Sequence, residues 1–305
     1  MNTYFPEGEL GKCPVNNAGA EEYIKSGTVA EALCVMCNGG HDLIVANGDF
    51  RGRIPRCEGA VGIDDGTTRD IALISRVNKP VQFRILGFEQ DENGCNTAVL
   101  SRRLAQEECI TNYISKLRCG DIIPAKVTHM EQFGAFVDIG CGLPSLVPID
   151  MISVSRISHP SDRFTVGQNI YCAVRSIEEN KITLTHKELL GTWQENADRY
   201  GIGETVTGIV RSIESYGIFV ELAPNLAGLA ELKPDIRVGC KVSVYIKAII
   251  PDKMKIKLII VDTFDSCKKE KPSDIDYFIT SGRLESWKYS TAGAEKNIIT
   301  DFCCQ

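Results

Sequence analysis

A passage that opens GDIIPAKVTHM at Gly120 returns 83 residues later as GETVTGIVRSI at Gly203. The match runs on without a gap through QFGAFVDIG (132–140) and SYGIFVEL (215–222), which puts Phe133 and Tyr216 in the same place. Each copy continues with a Gly- or Pro-containing turn and a short apolar run, GLPSLVPI (142–149) and LAGLAEL (226–232). A second glycine-led strand follows, VGQNIYCAVRSI from Val166 and VGCKVSVYIKAI from Val238, at an offset reduced to 72 residues. The intervening loop is therefore eleven residues shorter in the later copy. Both close on an alternating stretch after a turn, ENKITLT (179–185) and DKMKIKLII (252–260). Self-similarity of this kind requires repeated modules, each built on the same supersecondary plan.

The stretches alternate apolar and polar residues and are separated by turn residues, the period-two pattern of half-buried strands. Five short strands in a module of this length are too few for a two-sheet sandwich and suit a small closed barrel, in which every edge is paired. A third, divergent unit precedes these two: its glycine-led strand SGTVAEALCV has Gly27 placed 93 residues before Gly120. Helical patterns lie between the units, in LSRRLAQEECITNYISKL and THKELLGTWQENADRY. The expectation is an all-β chain of three tandem five-stranded antiparallel barrels joined by short helical spacers. The units are expected at 22–105, 116–191 and 200–265. The charged break DSCKKEKPSD (265–274) sets off a tail, taken as 266–305, whose aromatic run DIDYFITSGRLESWKYS suggests no particular element.

Composition narrows the function. With 34 basic and 40 acidic residues the net charge is −6, which disfavours sequence-blind wrapping of duplex DNA. No apolar run reaches the ~18 residues of a membrane span, and the opening MNTYFPEGELGK lacks the order of a signal peptide, so a cytoplasmic protein without a membrane partner is expected. Thirteen cysteines in such a chain read as reduced thiols, not a disulfide framework. The one CxxC, Cys34–Cys37, lies in a strand-like segment with no second pair, the tail pair Cys303–Cys304 stands alone, and four scattered histidines give no ligand spacing. No phosphate loop, HExxH or GxSxG is present, so no catalytic residue, metal or cofactor is expected.

Taken together, the opening glycine, FGAFVDIG, the GLPSLVPI turn, VGQNI and the closing KITLTHK resemble the repeat of the bacterial small-subunit ribosomal protein S-one family, in its three-repeat Gram-positive form. GDFRGRIPRCE (48–58), KPVQFRILGF (79–88) and VLSRRLAQEE (99–108) extend the resemblance to the first unit. The resemblance implies OB-fold barrels that bind single-stranded RNA, with a role in bringing messenger RNA to the small ribosomal subunit, and it implies no catalysis. Two other readings stay open: a general RNA chaperone or regulator of transcription or RNA decay, and a scaffold that binds only proteins.

Single-stranded RNA is held by aromatic rings that stack on bases and by cations that meet phosphates. The family's stacking pair falls on Phe133 and Phe136 in the second unit and on Tyr216 and Phe219 in the third, with a glycine between that would let RNA approach the backbone. Lys126, His129 and Lys181 are the cationic candidates of the second unit, and Arg211, Lys255 and Lys257 those of the third. Where the family often has a histidine after the pair, this chain has Pro148 and Glu231, and the basic position kept as Lys257 becomes Thr183. His159, in the ISHPSD loop, is a substitute if that loop folds over the face. Laying Gly27 on Gly120 puts Gly40 and Leu43 at the stacking positions of the first unit. Arg51, Arg53 and Arg56 supply charge there without a platform, which favours protein docking, including docking on the small ribosomal subunit.

Overall fold

The computed structural model describes residues 4–11, 17–90, 96–178, 181–264 and 275–302. Cys303–Cys304 and the charged break therefore lie outside the described residues. Three closed barrels follow one another. The first is made of β1 (Ala30–Cys37), β2 (Leu43–Asn47), β3 (Phe50–Ile54), β4 (Pro80–Gln90) and β5 (Asn96–Ser101). The second has β6 (Ile122–Glu131), β7 (Gly134–Asp138), β8 (Pro144–Pro148), β9 (Asn169–Glu178) and β10 (Lys181–Thr185). The third has β11 (Thr205–Glu214), β12 (Gly217–Ala223), β13 (Leu226–Ala230), β14 (Lys241–Ile250) and β15 (Lys255–Thr263).

Strand order is the same in all three: the first strand lies between the second and the fourth, and the fifth lies between the third and the fourth. An odd number of strands cannot close with every neighbour antiparallel, so one pair in each barrel must run parallel. These pairs are β3 with β5, β8 with β10, and β13 with β15, a refinement of the antiparallel barrel expected from sequence. Alternation puts one side of each strand in the core: in β15, Ile256, Leu258 and Ile260 are buried while Lys255, Lys257 and Ile259 are exposed. Phe50 and Phe83, both fully buried, stack at 6.2 Å inside the first barrel. The opening glycines of the motif sit at positive φ, +62° at Gly27, +87° at Gly120 and +92° at Gly203, a backbone that side chains disfavour.

The helical elements are α1 (Asn17–Ser26), α2 (Ile71–Ile74), α3 (Arg102–Asn112) and α4 (Trp193–Ala197). Ser101 caps α3 by accepting from the Leu104 N–H at 2.9 Å. Thr192 and Glu195 form a capping box on α4, the short spacer between the second and third barrels.

The chain divides into two compact units. The first contains the first barrel, α1 to α3, and residues 124–126 and 138–144. Its N-terminal segment is fixed by Glu7, whose buried carboxylate accepts from Arg102 Nε at 2.7 Å and Arg76 at 3.2 Å, while the Glu7 N–H donates to Asp138 at 2.7 Å. The second unit holds the rest of the second barrel, the third barrel and the tail. There the tail is structured: β16 (Ser286–Lys288) pairs with β17 (Ile299–Asp301), and Trp287, Tyr289 and Phe302 join one buried cluster with Val210, Val220 and Val244 of the third barrel. The Tyr277 hydroxyl accepts from the Tyr171 N–H and lies 3.1 Å from His186 Nε2 in the second barrel, and the Tyr289 hydroxyl donates to the Asn225 carbonyl of the third at 2.6 Å.

Candidate nucleic-acid interface

Register sets out the outer face of the third barrel. Ser212 on β11 stands opposite Phe219 on β12, Phe219 opposite Leu229 on β13, Leu229 beside Lys257 on β15, and Lys257 opposite Ala248 on β14. Tyr216, in the turn before β12, adds a ring to this row. It is 67% exposed and meets Phe219 edge to face at 6.1 Å and 89°. The second barrel repeats the arrangement. Phe133 is 56% exposed and meets Phe136 at 5.9 Å and 88°, and Thr183 lies beside Leu146 and opposite Ser176. Phe136 and Phe219 are half-buried. His129 extends the second-barrel cluster: its ring lies 6.3 Å from Phe136, tilted by 23°, and Nε2 bonds Glu131 at 2.6 Å.

The glycine between the rings has a different role from the one expected. A Cβ on Gly134 would meet the Val147 carbonyl oxygen at 2.5 Å, and one on Gly217 the Ala230 oxygen at 2.6 Å. Both glycines are buried, and what approaches them closely is the neighbouring strand, not a ligand.

The cations divide. Lys255 and Lys257 are exposed on β15, and Lys181 is exposed at the start of β10. Lys126 is half-buried and bonds Glu9 at 2.9 Å. Arg211 is committed elsewhere: its guanidinium grips Glu221 through two bonds of 2.9 and 3.1 Å and lies 3.6 Å from Asp162. Arg163 bonds the same Glu221, and this buried cluster, with Asn225, joins the 152–163 loop to the third barrel. That loop carries His159, whose Nδ1 accepts from the Ser161 N–H at 3.1 Å, and none of the recorded contacts of His159 is with the Phe133–Phe136 pair.

The first barrel corrects the alignment made from sequence. A bulge in β1 between Cys34 and Met36 matches one in β11 between Val210 and Ser212, but Met36 faces Ile44 where Ser212 faces Phe219. The β1–β2 turn is one residue longer, so Ile44 and not Leu43 takes the aromatic position, and Leu43 points into the core with no exposure. His41 precedes Ile44 by three residues, as Tyr216 precedes Phe219, and it lies 3.4 Å from Asp70. Among the arginines, Arg53 pairs with Asp42 at 3.3 Å and Glu89 at 2.8 Å, Arg56 pairs with Asp70 at 2.8 Å, and Arg51 donates to the Gly48 carbonyl. Cys34 is buried and Cys37 half-buried, and burial pushes both thiols up from their ordinary value. Among the described residues no group of His, Cys, Asp and Glu could hold a metal ion, and no helix is long and apolar enough to cross a membrane.

Leu146 and Leu229 belong to the row although their segments read only as turns with an apolar run. The pairing of each closing strand with them is the signal that was missing.

Comparison with known proteins identifies one domain of the chain. Residues 116–187 match the model of the S1 RNA binding domain. The small ribosomal subunit protein bS1 of Rhodopseudomonas palustris is 32% identical over 174 residues, covering 55% of this chain and 30% of that protein. The bS1 homolog of Bacillus subtilis is 31% identical over 161 residues, covering 50% of this chain and 41% of that protein. The chain thus spans well under half the length of these relatives. A multidomain Streptococcus pneumoniae protein with nucleic acid binding domains aligns over 76% of this chain and 73% of its own at 14% identity, but its TM-score of 0.24 carries no argument. Residues 116–187 thus carry an S1 RNA binding domain, and over about half of its length the chain is similar to bS1 proteins.

Proposed function

We propose that the chain holds single-stranded RNA on the outer faces of its second and third barrels, working by binding and not by catalysis. The observation that carries this reading is the aromatic pair repeated in two barrels with one geometry, its outer ring more than half exposed each time. A barrel needing those rings for its own core would bury them, whereas a base needs an open π-face. The functional units would be 116–191 and 200–265, preceded by 22–105 and followed by the tail 266–305. By likeness to its bS1 relatives, the chain would assist messenger RNA binding on the small ribosomal subunit in the cytoplasm.

The first barrel favours a second role. Its equivalent row reads Met36, Ile44, Arg53 and Val99, with Arg53 already neutralised by two carboxylates, a surface that suits a protein partner such as one on the small subunit better than RNA. Fluorescence anisotropy with a labelled single-stranded oligoribonucleotide tests the first reading: binding is expected, with duplex DNA a poor competitor. Co-sedimentation with small ribosomal subunits at several salt concentrations separates translation from general RNA work. Absence of RNA binding would leave the scaffold reading.

A further inference from the structure

The hairpin between the fourth and fifth strands can be compared residue by residue in the three barrels, because each carries a bulge at one position. The extra residue is Leu86, between Ile85 and Gly87, in the first barrel. It is Arg175, between Val174 and Ser176, in the second, and Lys247, between Ile246 and Ala248, in the third. The other end of the comparison is the position on the fifth strand that lies beside the third strand: Val99, Thr183 and Lys257. Between these limits the first barrel has Glu89, Asp91 and Glu92 with no basic residue, a charge of −3. The second has Arg175 and Lys181 against Glu178 and Glu179, a charge of zero. The third has Lys247, Lys253, Lys255 and Lys257 against Asp252 alone, a charge of +3.

Occupancy widens the difference. Arg175 donates to the Asp301 carbonyl at 2.8 Å and lies 5.9 Å from the Phe302 ring, so the tail covers the one bulge cation of the second barrel. The four lysines of the third barrel are all exposed, and among the described residues none has a carboxylate partner. Lys257 stands in the same row as Phe219, two strands away. Tyr245 and Ile259, on the next rung, are also exposed.

Resting on the RNA-binding reading, we infer that the β14–β15 hairpin, through Lys247 and Lys253 as well as Lys255 and Lys257, is the arm that grips the phosphates of the bound strand. The second barrel then contributes chiefly by stacking, through Phe133, Phe136 and His129. The chain has an overall charge of −6, so a concentrated +3 hairpin beside a stacking row is where a polyanion is drawn.

The test is the salt dependence of binding by the full chain. Log affinity against log salt should have a slope of about −0.7 per phosphate neutralised on a single strand, so the variant K247Q/K253Q/K255Q/K257Q should be shallower by roughly 3. The corresponding lysine-to-arginine variant should restore the slope. The second-barrel variant R175Q/K181Q should shift it by less than about 0.7, one phosphate. The five lysines are exposed and Arg175 is partly so, and circular dichroism melts would report any loss of fold. An unchanged slope in the lysine variant, or an equal change in the second-barrel variant, overturns the inference. If the wild-type chain does not bind RNA at all, the RNA-binding reading fails instead.

Discussion

Tyr216→Ala should separate RNA affinity from stability. The ring is 67% exposed, so only about a third of its surface is withdrawn from water in the free protein. Full burial of a large apolar side chain is worth about 1.5–3 kcal/mol, so the buried part of this one contributes less than about 1. The edge-to-face contact with Phe219 adds about 0.5–1.5 kcal/mol. Removing the ring should therefore cost at most about 2.5 kcal/mol and lower Tm by no more than about 10 °C. On the RNA side, loss of one base stack costs ~1–3 kcal/mol, about tenfold in affinity at 1.4. Anisotropy titration of a labelled single strand and differential scanning calorimetry on the same preparation would read both quantities. Tyr216→Phe should leave both unchanged, since among the described residues the hydroxyl has no recorded partner. A large fall in Tm with undiminished affinity per folded molecule would show that the ring is part of the core and that the stacking argument is wrong.

Three further outcomes concern stability. Glu221→Ala removes the carboxylate that both Arg163 and Arg211 use and strands Arg163, 7% exposed, as an unpaired charge; a loss of about 3–5 kcal/mol in urea unfolding is expected. Asn225→Ala leaves the Lys187 and Gly191 carbonyls and the Val154 N–H without their partner in a fully buried site, a cost of about 3 kcal/mol or more by the same assay. Burial pushes the His186 imidazole down to about 4, and its Nδ1–H donates to the Ile152 carbonyl at 2.8 Å. The unfolded state then takes up the proton first, so this residue's contribution is complete above pH 6.5 and is lost as pH falls from there to about 4, up to about 3 kcal/mol. The difference in stability between wild type and His186→Gln should carry that slope; a difference independent of pH would refute it.

The barrels and their exposed aromatic pairs were legible because a repeat exposes register directly: Phe133 and Tyr216 align whatever the tertiary structure. The first barrel was misaligned by one residue since the extra residue lies in the turn after β1, where no periodicity marks it, and in a strand one step reverses every face. The fate of the cations was illegible for another reason. Lys126 meets Glu9 from 117 positions away, and Arg211 and Arg163 share Glu221 across a loop, so the sequence displays each charge and hides its partner. The tail resisted because its short strands and turns have neither a helical nor an extended period, and its aromatic residues find their partners in barrels made long before it.

That last point bears on synthesis. Residues 275–302 contact both the second and third barrels through Tyr277 and Tyr289, yet they emerge after everything they hold. Until they do, Trp287 and Phe302 are missing from the shared core and the Tyr277 and Tyr289 contacts are unmade. A growing chain would therefore hold its second and third barrels together through fewer contacts. Arrival of residues 275–302 adds the contacts that couple them, and on the proposed RNA-binding reading that lowers the orientational entropy lost when both engage one strand.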